Sequence, residues 1–139
     1  MTETSNQNDG ILPVQALSAM ADAGAILSGD NDFADGQLQP ASLDLRLGAE
    51  AWRVQASFLP GAESTVAQKL KKFAMHKIDL SEGAVLERGC VYIVKLQESL
   101  ALHDDLSAMA NPKSSTGRLD ILTRLITDNA LEFEAVRAG

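Results

Sequence analysis

The chain has 139 residues, a formal net charge of −7, and 45% hydrophobic against 22% charged residues. This size and composition predict one globular domain, and the acidic balance argues against binding nucleic-acid polymers or membrane surfaces. No apolar run is long enough to span a membrane, and the polar start predicts a disordered tail over residues 1–10 rather than a signal peptide. Cys90 is the only cysteine, which excludes an intrachain disulfide and favours the cytoplasm.

Two short helices are predicted at the periphery of a single domain over residues 11–139. The first lies near 13–27, where Pro13 suits a first helical turn and apolar residues recur at helical spacing. The second lies near 64–75 and carries three lysines on its polar face, Lys69, Lys71 and Lys72. These lysines suit a solvated helix face or, as an alternative, a second phosphate contact.

Alternation of apolar and polar residues predicts strands after the first helix. Leucines alternate with polar residues over 41–48, and apolar residues alternate again over 52–58. The two segments are predicted to form a hairpin around Gly48–Ala49. Further short strands are predicted near 77–80, 84–86, 90–94 and 119–127. Many short strands with two peripheral helices favour a mainly-β barrel or sandwich.

The chain lacks the residues that several classes of enzyme need for catalysis. A zinc site needs several histidine or cysteine ligands at defined spacing, and the chain offers only His76, His103 and Cys90. This ligand count excludes a zinc-dependent nucleobase deaminase, so no metal-ligating residues are assigned. Neither histidine lies near a serine nucleophile motif, and the glycine-rich phosphate-binding fingerprints are absent.

The stretch NPKSSTGRLD, residues 111–120, concentrates cations and hydroxyls in an acidic protein. A turn that presents backbone N–H groups and hydroxyls between a lysine and an arginine can bind an anion, most naturally a phosphate chain. Gly117 lets the backbone turn where a Cβ would clash. The same composition also suits a polar loop without a ligand.

Three stretches together give a specific resemblance: QPASLDLRLG over 39–48, GCVYIVKLQESLAL over 89–102 and NPKSSTGRL over 111–119. With them the chain resembles the dCTP deaminase branch of the dUTPase-like superfamily, most closely its longer bacterial form. The resemblance implies a dUTPase-like distorted β-barrel of the β-clip type, assembled as a homotrimer. It also implies hydrolysis of dCTP to dUTP and ammonia without zinc, with Mg²⁺ carried on the triphosphate.

The resemblance also assigns roles to residues. Ser114 is expected to hydrogen-bond at the reacting base and water, and Arg118 to support the developing charge, which makes these two the catalytic candidates. The other nucleotide-binding residues are divided among three parts of the ligand. The triphosphate is expected along the turn with Lys113, Ser115, Thr116 and Gly117. The cytosine edge is expected to face backbone groups of Ile126 and Thr127, and the deoxyribose to contact Glu134. Relatives carry an aspartate where this chain has Glu134.

The general base is the main departure from the family pattern. Deamination needs a carboxylate that takes a proton from water, and the family places that glutamate after an aromatic-x-Gly turn. The chain stops at Gly139, where this turn is expected, so we expect a barrel incomplete at its C-terminus and no activity from the 139 residues alone. Glu132 imitates the catalytic context but follows Arg118 too closely for a strand, a turn and a return strand.

Two alternatives stay open at this point. A dUTP pyrophosphatase shares the barrel and the serine loop, although the chain shows neither its water-activating aspartate nor its uracil-selecting hairpin. The other alternative is a non-catalytic fragment that binds nucleotides or forms oligomers, since an unsealed barrel exposes strand edges.

Overall fold

The computed structural model describes residues 10–138, so the predicted tail lies outside the described residues except for Gly10. Its helices are α1 (Val14–Asp22), α2 (Val66–Phe73) and α3 (Ser114–Gly117). Its strands are β1 (Ile26–Leu27), β2 (Leu38–Gln39), β3 (Ser42–Leu43), β4 (Leu47–Val54), β5 (Ala74–Asp79), β6 (Val91–Leu96), β7 (Ser99–Leu100), β8 (Ala108–Met109) and β9 (Ala135–Val136). The prediction of a mainly-β fold is confirmed, with a third short helix, and the strands of the described part form four separate small sheets rather than a closed barrel.

The described residues divide into two compact units. The first holds the chain up to Arg46 together with Gln97–Leu100, and the second holds Leu47–Leu96 and the chain from Ala101 onward. None of the helices in residues 10–138 is both long and apolar enough to cross a membrane.

In the first unit, helix α1 packs against three short strands. β1 pairs antiparallel with β7, β2 pairs antiparallel with β3, and α1 contacts β1, β2 and β3. The helix is shorter than the predicted 13–27 because Gly24 adopts a positive φ of 77°, which ends the helical turn. The chain then enters β1, where Ile26 is buried opposite Leu100.

A buried carboxylate joins the loops of the first unit. Glu98, whose side chain is only 1% exposed, accepts hydrogen bonds from Gln37 Nε2 at 2.7 Å and from the Arg46 backbone N–H at 2.8 Å. Burial raises the pKa of Glu98, but the hydrogen bonds from Arg46 and Gln37 outweigh it and bring the pKa below its ordinary 4.5. Glu98 is therefore ionised in the folded protein near neutral pH.

In the second unit, β4 is the central strand of an antiparallel sheet with the order β5-β4-β6. The predicted hairpin around Gly48–Ala49 is wrong, because β4 runs straight through both residues. A Cβ on Gly48 would lie 2.7 Å from the carbonyl oxygen of Lys95 on β6. The glycine thus marks a close approach of two backbones rather than a turn. Further along β4, Ala51 and Val54 are buried.

Two other predicted strands are absent from the described residues. Residues 84–86 lie in the connection between β5 and β6, where Val85 is 87% exposed. Residues 119–127 form no strand either, and none of them pairs in a described sheet. An apolar, β-branched run becomes a strand only where a neighbour offers a ladder of hydrogen bonds.

Candidate functional site

The residues of the predicted phosphate loop form one tight helical turn. Lys113 is extended (φ −70°, ψ 132°), and the chain then enters α3. The N–H groups of Thr116 and Gly117 both donate to the Lys113 carbonyl, each at 3.1 Å. All residues from Lys113 to Arg118 except Thr116 are exposed. The turn therefore places two cationic residues and two serines on one short, exposed segment.

Strand β8 leads directly into this turn. It pairs with β9 through Ala108 opposite Val136 and Met109 opposite Ala135. The pairing continues one step, since the Ala110 N–H donates to the Glu134 carbonyl at 2.9 Å. Lys113 follows three residues after Ala110, so the β8–β9 pair fixes where the turn begins.

The predicted base-reading residues lie beside β9. The Glu134 N–H donates to the Leu125 carbonyl at 2.9 Å, and Thr127 Oγ1 donates to the Ala135 carbonyl at 3.5 Å. The structure thus brings Ile126, Thr127 and Glu134 together. The hydrogen bond between Ala110 and Glu134 connects this group to the segment that leads from β8 to the Lys113–Arg118 turn.

Glu134 has an unusual backbone conformation and its carboxylate is paired with an arginine. Its φ is 68°, which non-glycine residues rarely adopt, and its carboxylate accepts two hydrogen bonds from Arg124, at 2.7 Å from Nε and 3.0 Å from Nη2. The Arg124 guanidinium also lies 4.5 Å from the centre of the Phe133 ring. Arg124 lowers the pKa of the Glu134 carboxyl, so this group is ionised at neutral pH.

The segment after Thr127 is bonded to the start of helix α2. Asp128 Oδ1 accepts a hydrogen bond from the Val66 N–H at 2.6 Å. The next residue, Asn129, donates its N–H to the Ser64 carbonyl at 3.0 Å, and the Ala130 carbonyl accepts from the Gly61 N–H at 3.1 Å. Residues 128–130 are therefore docked along residues 61–66.

The remaining candidates lie apart from this arrangement or are already paired. Glu132 accepts a hydrogen bond from Arg137 at 2.9 Å. His76 lies in β5 opposite Arg53, and the Cys90 thiol lies 3.9 Å from a carboxylate oxygen of Glu87. Within residues 10–138, no three His, Cys, Asp or Glu side chains group together as metal ligands would.

Arg124 and Asp128 are the site residues that the sequence analysis missed. Both pair with partners that no local pattern indicates, since Asp128 and Val66 are 62 positions apart. A usable local signal did exist at the start of α2. Thr65 and Gln68 form a reciprocal capping box, and their spacing in the sequence would have placed the first helical residue at Val66.

The chain is similar to known proteins over most of its length. Residues 8–139 match the family model of the 2′-deoxycytidine 5′-triphosphate deaminase N-terminal domain. The crystal structure of 2′-deoxycytidine 5′-triphosphate deaminase from Agrobacterium tumefaciens matches with a TM-score of 0.89 and 58% identity, over 94% of this chain and 37% of that one. This match confirms the predicted dUTPase-like fold.

Two curated dCTP deaminases are also similar to the chain. The one from Haloarcula marismortui is 33% identical over 93 residues, which cover 66% of this chain and 47% of the relative. The one from Halorubrum lacusprofundi is 32% identical over 92 residues, which cover 66% of this chain and 45% of the relative. The chain thus spans less than half the length of each relative. Because the family model matches nearly the whole chain, this chain belongs to the dCTP deaminase family and corresponds to the family's N-terminal domain.

Proposed function

We propose that the protein containing this chain hydrolyses dCTP to dUTP and ammonia in the cytoplasm. The observation that carries the proposal is the exposed turn Lys113–Arg118 after β8, together with the bonds of Leu125 and Thr127 to the β9 side of the same β8–β9 pair. A cationic turn for phosphates and a backbone edge for a base are the two parts that binding of a nucleotide requires. The family membership supports dCTP as that nucleotide.

The triphosphate is proposed to lie along the turn. Lys113 supplies a point charge, Ser115 and Thr116 supply hydroxyl donors, and Gly117 lets the phosphates approach the backbone. Mg²⁺ arrives as part of the substrate, bound to the phosphate oxygens. The cations of the turn then need to neutralise only part of the triphosphate charge. The bound Mg²⁺ thus reduces the repulsion between the nucleotide and a protein whose net charge is −7.

The sugar and the base are proposed to lie toward β9. Backbone groups of Ile126 and Thr127 face the edge of the cytosine, and the Glu134 carboxylate accepts a hydrogen bond from the deoxyribose hydroxyl. An ionised carboxylate can accept about four hydrogen bonds, so the two from Arg124 leave room for this one. Arg124 would then orient the carboxylate for the sugar.

The chemical step is attack of water on C4 of the cytosine, followed by loss of ammonia, without zinc. Ser114 hydrogen-bonds at the reacting base and water, and Arg118 stabilises the charge that develops. A carboxylate must also move a proton from the water to the leaving amine. Glu132 and Glu134 are each paired with an arginine, and the lowered pKa of Glu134 makes it a poor base at neutral pH.

We therefore propose that the general base lies outside these 139 residues, and that the chain alone binds dCTP without releasing ammonia. Assembly as a homotrimer is part of the same proposal. It is supported by large apolar side chains of the second unit that are at least 73% exposed, among them Met109, Leu119, Leu122 and Leu131. Light scattering on the purified chain measures the assembly.

The test is product analysis with dCTP and Mg²⁺, on the 139-residue chain and on a full-length protein that contains it. Ammonia from the full-length protein, with binding but no ammonia from the chain, supports the proposal. Pyrophosphate in place of ammonia would identify a dUTP pyrophosphatase. Binding without either product from the full-length protein would identify a non-catalytic nucleotide-binding module.

A further inference from the structure

We propose that Asp128 is a positioning residue for pyrimidine selection, because it anchors the base-reading backbone of Ile126–Thr127 to the N-terminus of helix α2. This inference rests on the proposed function, since it concerns how the same site distinguishes cytosine from uracil. Asp128 does not contact the nucleotide in this account. It acts through the two residues before it.

The base-reading pair is fixed at both of its ends, by two different elements. On one side, the Leu125 carbonyl accepts the N–H of Glu134, next to β9. On the other side, Asp128 Oδ1 accepts the N–H of Val66, the first residue of α2. Ile126 and Thr127 form no strand ladder of their own in the described structure, so the bonds of their neighbours position their N–H and carbonyl groups. The Thr127 hydroxyl bond to Ala135 and the backbone bond from Asn129 to Ser64 contribute as well. The Asp128 bond is the one on the α2 side that a side-chain substitution removes.

The bond from Asp128 completes the cap of α2. In the capping box, Thr65 Oγ1 accepts the Gln68 N–H at 3.1 Å and Gln68 Oε1 accepts the Thr65 N–H at 2.8 Å. The Val66 N–H is one of the first-turn donors that a helix cannot satisfy internally, and Asp128 satisfies it. A carboxylate at a helix N-terminus is also favoured by the helix dipole.

Selectivity between cytosine and uracil depends on where backbone groups lie. Cytosine presents a donor at its exocyclic amine and an acceptor at N3, whereas uracil presents an acceptor and a donor at the same two positions. A backbone N–H and a carbonyl at fixed positions can match only one of these patterns, and a mismatch leaves polar groups unpaired. Loosening the Asp128 anchor should therefore reduce base selectivity while leaving the phosphate turn intact.

The experiment compares Asp128→Ala, Asp128→Asn and Thr65→Ala in the 139-residue chain. Thr65→Ala is the matched control, since it removes the other side-chain cap of the same helix terminus without touching Asp128. Calorimetric titrations with dCTP, dUTP and inorganic tripolyphosphate, each with Mg²⁺, give the affinities. Thermal unfolding shows whether the two alanine variants lower Tm to a similar extent, and hydrogen exchange reports on the Ile126 and Thr127 amides.

Asp128→Ala is expected to weaken dCTP binding about tenfold, to lower the dCTP-to-dUTP affinity ratio by a similar factor, and to change tripolyphosphate binding less than about twofold. Asp128→Asn should keep the ratio near that of the wild type, because its amide oxygen still caps the helix. Thr65→Ala should lower Tm and leave the ratio unchanged. An unchanged ratio in Asp128→Ala, or an equal loss in Thr65→Ala, would overturn the inference.

Failure of the proposed function has a different signature. If the wild-type chain binds tripolyphosphate but neither nucleotide, the proposed function is at fault, and hydrogen exchange alone then decides the anchor. Faster exchange at Ile126 and Thr127 in Asp128→Ala but not in Thr65→Ala supports the anchor. Equal exchange in the two variants contradicts it.

Discussion

Arg46 Nε donates to Glu98 Oε1 at 2.7 Å, across 52 positions of the chain. The same guanidinium donates to the Asp32 carbonyl at 2.9 Å and to the Ser28 carbonyl at 3.0 Å. One ion pair thus ties the loop after β1 to the segment 97–100, and the first unit depends on Glu98 staying ionised.

Replacing Glu98 by glutamine should make the protein less stable at neutral pH. The loss of stability should be smaller at acid pH. We expect a loss of about 2 kcal/mol at pH 7, because hydrogen bonds to a buried charge become bonds to a neutral amide. The folded pKa of Glu98 is lowered, so its contribution is complete above 4.5 and is lost as the pH falls through the lower folded value.

Urea unfolding of the wild type and Glu98→Gln between pH 7 and pH 3 measures this difference. The gap between the two proteins should narrow below about pH 4.5, the ordinary pKa of the group. Glu63→Gln is a suitable control at an exposed carboxylate. A gap that is constant over the whole range would contradict the ionic account of Glu98.

Gly48→Ala should destabilise the central sheet by about 2 kcal/mol, as overpacked sites do. The added methyl would lie 2.7 Å from the Lys95 carbonyl, so β4 and β6 would have to separate. Gly117→Ala is the matched control, since nothing lies within 4 Å of its Cβ position and alanine favours a helix. The Cβ clash expected at Gly117 from the sequence is therefore wrong. Equal unfolding free energies for the two variants in a urea titration would refute the close approach of Gly48 to Lys95.

Arg118→Ala should strongly reduce dCTP turnover in the full-length protein while leaving Tm unchanged. Loss of a group that stabilises developing charge costs about 100-fold to 1000-fold in rate, and the exposed Arg118 side chain adds little to folding. Arg118→Lys should recover only part of the rate, since lysine lacks the planar fork. Ammonia release gives the rate, and a wild-type rate in Arg118→Ala would remove this residue from the mechanism.

The Arg124–Glu134 pair should govern recognition of the sugar. Glu134→Gln and Arg124→Ala should both reduce the preference for dCTP over its 2′,3′-dideoxy analogue, by about tenfold for the first. Arg124→Ala should also let the pKa of Glu134 rise toward 4.5, because the arginine is the main cause of its lowering. Competition binding gives the preference, and NMR titration of the carboxyl gives the pKa. If Glu134→Gln alone loses the preference, Arg124 does not orient the carboxylate.

Local patterns predicted a large part of the architecture. Short alternating segments and turn residues indicated the mainly-β fold, and helical spacing indicated both longer helices. The stretch from Lys113 to Arg118 does form a compact turn at the end of a strand. The roles of Ser114, Ser115 and the other site residues stay predictions until a nucleotide is bound.

Long-range pairing accounts for what the sequence analysis missed. Alternation on either side of Gly48 is compatible with a turn and with a strand close to a neighbour, and only the position of Lys95 decides between them. The Asp128 bond to Val66 spans more than 60 positions, and no periodic pattern in the sequence indicates it. The positive φ of Glu134 is likewise not indicated by its residue type, since non-glycine residues rarely adopt it.

Strand β4 is bonded on both sides, with Ala51 opposite Ile78 on β5 and opposite Val94 on β6. Deleting one residue from it would reverse the facing of every side chain on one side of the deletion and would break two ladders at once. Anyone splitting, tagging or circularly permuting this protein should therefore cut in the β5–β6 connection, where Val85 is 87% exposed, and leave the middle of the sheet intact.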